Sequence, residues 1–145
     1  MLRSATLGTL TALVMTVGGV GVSQAASAAT TAAETTGAAS WGSTKAPDQV
    51  LRKGCRDYRF FYKITTPNNE WQAEMFITDP KRRPIASVLA DAGSQPRQGI
   101  LSFRTCRAST TPGRFKIRMR VTYTEGYEKH VGFVKPSYFR LVSPR

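Results

Sequence analysis

Acidic residues are scarce in this chain, and histidine is nearly absent. Nine Asp and Glu stand against 21 Lys and Arg, with one His and two Cys among 145 residues. One His rules out multi-histidine metal sites, and two Cys outside a CxxC spacing rule out the four-ligand zinc sets. No metal or other cofactor is expected. GxSxG is missing, and with it the nucleophile elbow of one large hydrolase class. The RRM signature, zinc-finger spacing and helix-turn-helix pattern are also missing, so no dedicated nucleic-acid module is expected. There is no glycosylation sequon, internal repeat or heptad pattern. Beyond Val22 no long apolar run occurs, so no stable membrane anchor is expected once the N-terminal segment is removed.

That N-terminal segment comes first among the features present. Met1 to Arg3 is a cationic start, and Ala5 to Val22 is apolar or small. Ala26-Ser27-Ala28 offers a small-residue cleavage site, with Ser23-Gln24-Ala25 as a second candidate. Residues 1–28 therefore read as a secretory signal peptide, and the mature protein as secreted. Residues 29–47 are mostly Ala, Thr, Ser and Gly and read as a flexible linker. Residues 48–145 are left as the folded domain. In an oxidising compartment Cys55 and Cys106 are expected to pair, the alternatives being a free nucleophile or a metal thiolate. Closing that loop stabilises a fold by roughly 4 kcal/mol in the chain-entropy model. Without Arg3 the net charge would fall from +12 to +11. Such a balance favours solubility and attraction to polyanions.

The domain alternates with period two. Tyr58, Phe60, Tyr62 and Ile64 share one parity, as do Trp71, Ala73, Met75 and Ile77. Further strands are predicted over Ile85 to Ala90, Ile100 to Thr105, Arg114 to Thr124, Lys129 to Val134 and Tyr138 to Val142. The turns between them carry Pro, Gly, Asn and Asp. The expected fold is all-β: an antiparallel β-sandwich of about seven strands with one disulfide.

The order Cys55, Tyr58, Phe60, Tyr62, Trp71, then GILSFRTC (Gly99 to Cys106) and PGRF (Pro112 to Phe115), resembles small secreted immunoglobulin-like sandwiches of bacteria. The resemblance covers about Cys55 to Tyr123. It implies a binding or structural role rather than catalysis. The chain departs from the family at Arg104, two before Cys106, where the family often has a Tyr. Parity puts Cys55 on the Arg59 face and Cys106 opposite Leu101 and Phe103. The disulfide is therefore expected near an end or edge of the sandwich, clamping the entry of one strand to the exit of another.

The strand Gly113 to Tyr123 (GRFKIRMRVTY) carries the main candidate site. Arg114, Lys116, Arg118 and Arg120 alternate with Phe115, Ile117, Met119, Val121 and Tyr123. Side chains two apart on a strand are about 6.8 Å apart, so the four cations form a stripe of roughly 20 Å. The candidate partner is an anionic polymer or a cell-envelope component. The bland alternative is the wet face of a half-buried strand. It costs little, since neighbouring charges at that spacing repel by about 0.6 kcal/mol in water. Lys81 to Arg83 could extend the patch, as could Arg104, Arg107, Lys129, Lys135 and Arg140 if they share its face. A protein partner is the second possibility, using the loops Asp91 to Gly99 and Arg107 to Gly113. Phe61 and Phe76, on the polar parity of their strands, are candidate exposed apolar residues. A small cationic hydrolase using His130 is third, with Glu125 or Glu128 nearby, or with Glu74 and Arg118 as in small microbial ribonucleases. Paired carboxylates for glycosidase work would have to come from Glu70, Glu74, Asp79 or Asp91.

Overall fold

A computed structural model describes residues 39–144. The signal peptide and the first part of the linker read from the sequence lie outside the described residues. Nine strands follow in chain order: β1 (Gly42–Lys45), β2 (Gln49–Val50), β3 (Cys55–Ile64), β4 (Trp71–Thr78), β5 (Pro84–Asp91), β6 (Gln98–Cys106), β7 (Gly113–Glu125), β8 (Glu128–Phe133) and β9 (Ser137–Val142). They form a three-stranded sheet, β1-β3-β6, and a six-stranded sheet, β2-β9-β7-β4-β5, in which β8 also pairs with β7. All pairings are antiparallel except the short β2–β9 pair. The protein is an all-β sandwich.

The alternation seen in the sequence is the reason for this architecture. A strand with one apolar parity must bury that face, and two such sheets bury each other's. Tyr58, Phe60, Tyr62 and Ile64 of β3 are buried, as are Trp71, Ala73, Met75 and Ile77 of β4. From β7 come Phe115, Ile117, Met119, Val121 and Tyr123, and from β9 Phe139 and Leu141. Aromatic rings join the layers: Phe103 of β6 meets Phe139 edge-on at 6.0 Å, and Phe139 lies 5.4 Å from Phe115.

The linker boundary at residue 47 is corrected by the structure. Gly42–Lys45 pairs with Phe61 to Ile64 of β3. Ala39 bridges Val134, and Trp41 lies edge-on to Tyr123 at 4.9 Å. Trp41 is the physical reason: it supplies a ring for the core from a stretch otherwise poor in apolar bulk. Two glycines admit this segment. A Cβ at Gly42 would lie 2.4 Å from the Lys63 carbonyl oxygen, and one at Gly132 would lie 2.7 Å from the Trp41 ring.

Cys55 and Cys106 are bonded, and they are register partners at one end of the β3–β6 ladder. The bond thus lies within one sheet, at the entry of β3 and the exit of β6. Cys55 is exposed and Cys106 half-buried, as their parity required. No helix among the described residues is long and apolar enough to cross a membrane.

Candidate functional site

β7 is the central strand of the large sheet. On one side β4 pairs with Lys116 to Tyr123. On the other side two strands share it, β9 along Gly113 to Ile117 and β8 along Arg120 to Glu125. Register partners in an antiparallel ladder present their side chains on the same face. The outer face therefore sets Arg114 beside Arg140, Lys116 between Thr78 and Tyr138, Arg118 beside Phe76, and Arg120 between Glu74 and Phe133. All four stripe residues stand on this one face, with Lys116 half-buried and the three arginines exposed.

Three of them rest on aromatic rings. The Arg114 guanidinium lies 3.9 Å from the centre of the Tyr138 ring, and that of Arg118 lies 4.2 Å from Phe133. Arg120 stands 5.7 Å from Phe76. Each such contact contributes about 0.5–1 kcal/mol at an exposed site. It also holds a flexible side chain down, leaving the N–H edges of the guanidinium to meet a ligand.

Arg120 differs from the rest. It donates to Glu74 at 2.7 Å, and Ser87 donates to the same carboxylate at 2.8 Å. Among the described residues no carboxylate lies within ion-pair distance of Arg114, Lys116 or Arg118.

A further cation joins from the turn after β4. Asp79 has a fully buried side chain and accepts from the Arg83 backbone at 2.8 Å, Nε at 2.9 Å and Nη2 at 2.7 Å. Burial would raise the Asp79 carboxyl. The Arg83 backbone and side-chain hydrogen bonds, the Arg83 charge and a Lys81 backbone bond outweigh it and hold the carboxyl below its ordinary value. This turn puts Arg82 at φ 64°, an uncommon backbone setting for a side chain other than glycine. Arg82, Thr78, Arg114, Lys116, Arg118 and Tyr138 border a groove of about 710 Å³.

Of the flanking cations, Arg140 and Lys129 share the stripe's face through their β7 partners Arg114 and Thr124. Arg104 lies on the other sheet, 3.6 Å from its register partner Asp57. Arg107 follows β6 in the loop beyond the disulfide, and Lys135 stands between β8 and β9. Phe76 is half-buried beneath Arg120 and packs 6.4 Å from Phe133. Phe61 is 39% exposed on the opposite side of the molecule. The ring platforms Phe133 and Tyr138 escaped the sequence reading, because only register shows which aromatic lies beside which arginine.

Of the residues weighed for catalysis, Glu125 and Glu128 come near His130, while Glu74 and Arg118 stand on the other face. His130 is the register partner of Tyr123, stacks on it at 4.7 Å, and so faces inward. Glu74 and Arg118 face outward. His130 Nε2 is buried without a hydrogen-bond partner, with Glu125 and Glu128 at 4.0 and 3.9 Å. Asp91 caps its own loop, accepting from Gly93 N at 2.9 Å and Ser94 N at 3.0 Å. That loop is tied down further where Tyr62 donates to Pro96 O at 2.6 Å and Ile64 N to Arg97 O at 2.7 Å. Burial pushes the Tyr62 hydroxyl up. Thr105 near the end of β6 and Thr110 in the loop after it share a buried hydroxyl–hydroxyl bond of 2.6 Å.

No protein-family model and no curated protein matches this chain. Among solved structures it is similar to a CARDB domain from Pyrococcus furiosus, determined in complex with di-metal ions. That likeness has 13% identity and a TM-score of 0.36 over 76% of this chain and 95% of that one. The metal ions belong to that protein. No group of three or more His, Cys, Asp or Glu placed to hold a metal occurs among the described residues here.

Proposed function

We propose that the protein is a secreted, non-enzymatic binding protein whose cationic face takes an anionic extracellular polymer or cell-envelope component. One observation carries the reading. Arg114, Lys116 and Arg118 stand on a single face with no carboxylate partner among the described residues, and aromatic rings hold the two arginines in place. A merely wet strand has no need of such platforms. Attraction of this kind is electrostatic and weakens with salt. The strand order supports placing the chain with immunoglobulin-type sandwiches. β3 pairs with β6, and β4 with β7, as strands B with E and C with F do there, and Trp71 opens the strand in the C position. The disulfide differs, since it joins neighbours in one sheet instead of crossing between sheets.

The test is retention of the mature protein on anionic polymers as salt is raised. The variant Arg114→Ser/Lys116→Ser/Arg118→Ser is compared with Lys45→Ser/Arg59→Ser/Lys63→Ser, which removes the same charge from the outer face of the small sheet. The first should lose about a hundredfold in affinity and the second less than about threefold. Equal losses would reduce the stripe to general charge.

A protein partner is the second reading. It is favoured by the exposed pair Phe61 and Ile100, register partners on the small sheet that are 39% and 67% exposed.

A further inference from the structure

The four cations of β7 are not equivalent, and their differences point to a particular ligand chemistry. Glu74 neutralises Arg120, so the stripe is broken after its first three cations. At its other end Arg82 approaches from the Asp79–Arg83 turn and borders the same groove as Arg114, Lys116 and Arg118. The one acid in that turn, Asp79, is buried and engaged by Arg83, so it does not cancel this charge. The groove thus gathers four cations from two separate elements, with Thr78, Asp79, Pro80 and Tyr138 also on its border.

Donors approaching from two directions suit a tetrahedral anion better than a planar one. A carboxylate offers two oxygens in one plane, and one arginine fork satisfies both. A phosphate group spreads its acceptor oxygens around a centre, so donors from a strand and from a facing turn can all be used. Three guanidiniums and one ammonium fit that need. We infer that the groove between β7 and the Asp79–Arg83 turn is a phosphate-group site, through which the cationic face grips a phosphate-bearing polymer in preference to a carboxylate-bearing one. This rests on the polyanion reading and narrows it.

Arg82 is the residue on which the inference turns, because it lies outside the stripe. Its φ of 64° makes Arg82→Gly a gentle variant: glycine takes that conformation readily, while the guanidinium is lost. Arg82→Asn, which also tolerates positive φ, repeats the test should glycine loosen the turn.

The probes are short-chain inorganic polyphosphate, polyglutamate and polygalacturonate, titrated at equal charge concentration and fixed salt. The parent should bind polyphosphate at least about tenfold more tightly than either carboxylate polymer. Arg82→Gly should lose about tenfold for polyphosphate and less than about twofold for the others. Arg120→Gln should change polyphosphate binding by less than about twofold, because Glu74 already engages that guanidinium. Equal affinity for all three polymers, or equal losses at Arg82 and Arg120, would overturn the phosphate site while leaving the polyanion face standing. Binding indifferent to Lys116→Gln/Arg118→Gln, or no binding to any polymer, would remove both.

Discussion

The outer faces of the two sheets obey the same period-two rule and yet differ in kind. On the large sheet, arginines lie over Tyr138, Phe133 and Phe76; the two Phe rings are half-buried and Tyr138, stacked under Arg114, keeps 46% exposure. On the small sheet, Lys45, Arg59 and Lys63 stand exposed while Phe61 and Ile100 are left bare. The cause is width. β7 has neighbours on both sides, so each of its cations meets a residue from another strand. On the small sheet Phe61 lies between Lys45 and Ile100, and Ile100, on the edge strand β6, has a partner on one side only. Alternation therefore decides that a face is wet. The register of the neighbours decides whether that face is an ordered surface or a loose one.

Three perturbations sharpen this contrast. The largest effect should come from Cys55→Ser/Cys106→Ser, which frees one end of the small sheet. Loss of the bond should cost about 4 kcal/mol and lower Tm by on the order of 15 °C or more, read by thermal unfolding. Below the new Tm, retention on an anionic polymer should match the parent. A parallel loss of retention would show that the two faces are not independent.

Next comes Asp79→Asn, at the rim of the large face. The Asp79 carboxyl is held below its ordinary value in the folded protein. Its contribution to stability is therefore complete above the unfolded carboxylate pKa, about 3.9, and fades as pH falls through the lower folded value. The variant should be less stable than the parent by about 1–2 kcal/mol at pH 7. Urea titrations at descending pH should find that gap intact at pH 5 and shrinking only below about pH 4. A gap that closes between pH 7 and pH 5 would exclude Asp79 as its source.

The smallest effect belongs to Glu74→Gln, which releases Arg120 from its partner. Stability should move by less than about 0.5 kcal/mol, because the pair is exposed. Retention on an anionic polymer should tighten about twofold to threefold, with a steeper dependence on salt. Unchanged retention would mean that Arg120 stands outside the ligand's path.

How much of this was legible beforehand follows from the same physics. β3, β4, β6 and β7 announced themselves by parity, because each buries one face on a common core, and β5, β8 and β9 read as short strands between turns. The end position of the disulfide followed from the parity of Cys55 and Cys106 against Arg59 and Phe103. β1 and β2 were missed. They are short, and β1, with Gly, Ser, Thr and Lys, has a single β-branched residue and no aromatic. Its pairing rests on Trp41 and on the room left by Gly42, which are tertiary matters. The stripe itself was visible, as was Lys81 to Arg83 as its possible extension. The neutralisation of Arg120 was not. Glu74 and Arg120 are 46 positions apart and meet only through the β4–β7 register.

The disulfide also divides the chain as a mechanical object. The bond between Cys55 and Cys106 closes a covalent ring containing β3, β4, β5 and β6, while β7 lies outside it. Tension entering before residue 55 and leaving after residue 106 passes through the sulfurs and bypasses everything between. The roughly 170 Å of extended chain inside the ring stays stored while the bond is intact. The pull falls instead on β1 and β2 before the ring and on β7, β8 and β9 after it, the last three carrying the arginines and two of their aromatic rings. Tension along the chain would therefore load the arginine face while sparing the covalent ring, and a reducing environment would shift that load onto the ring.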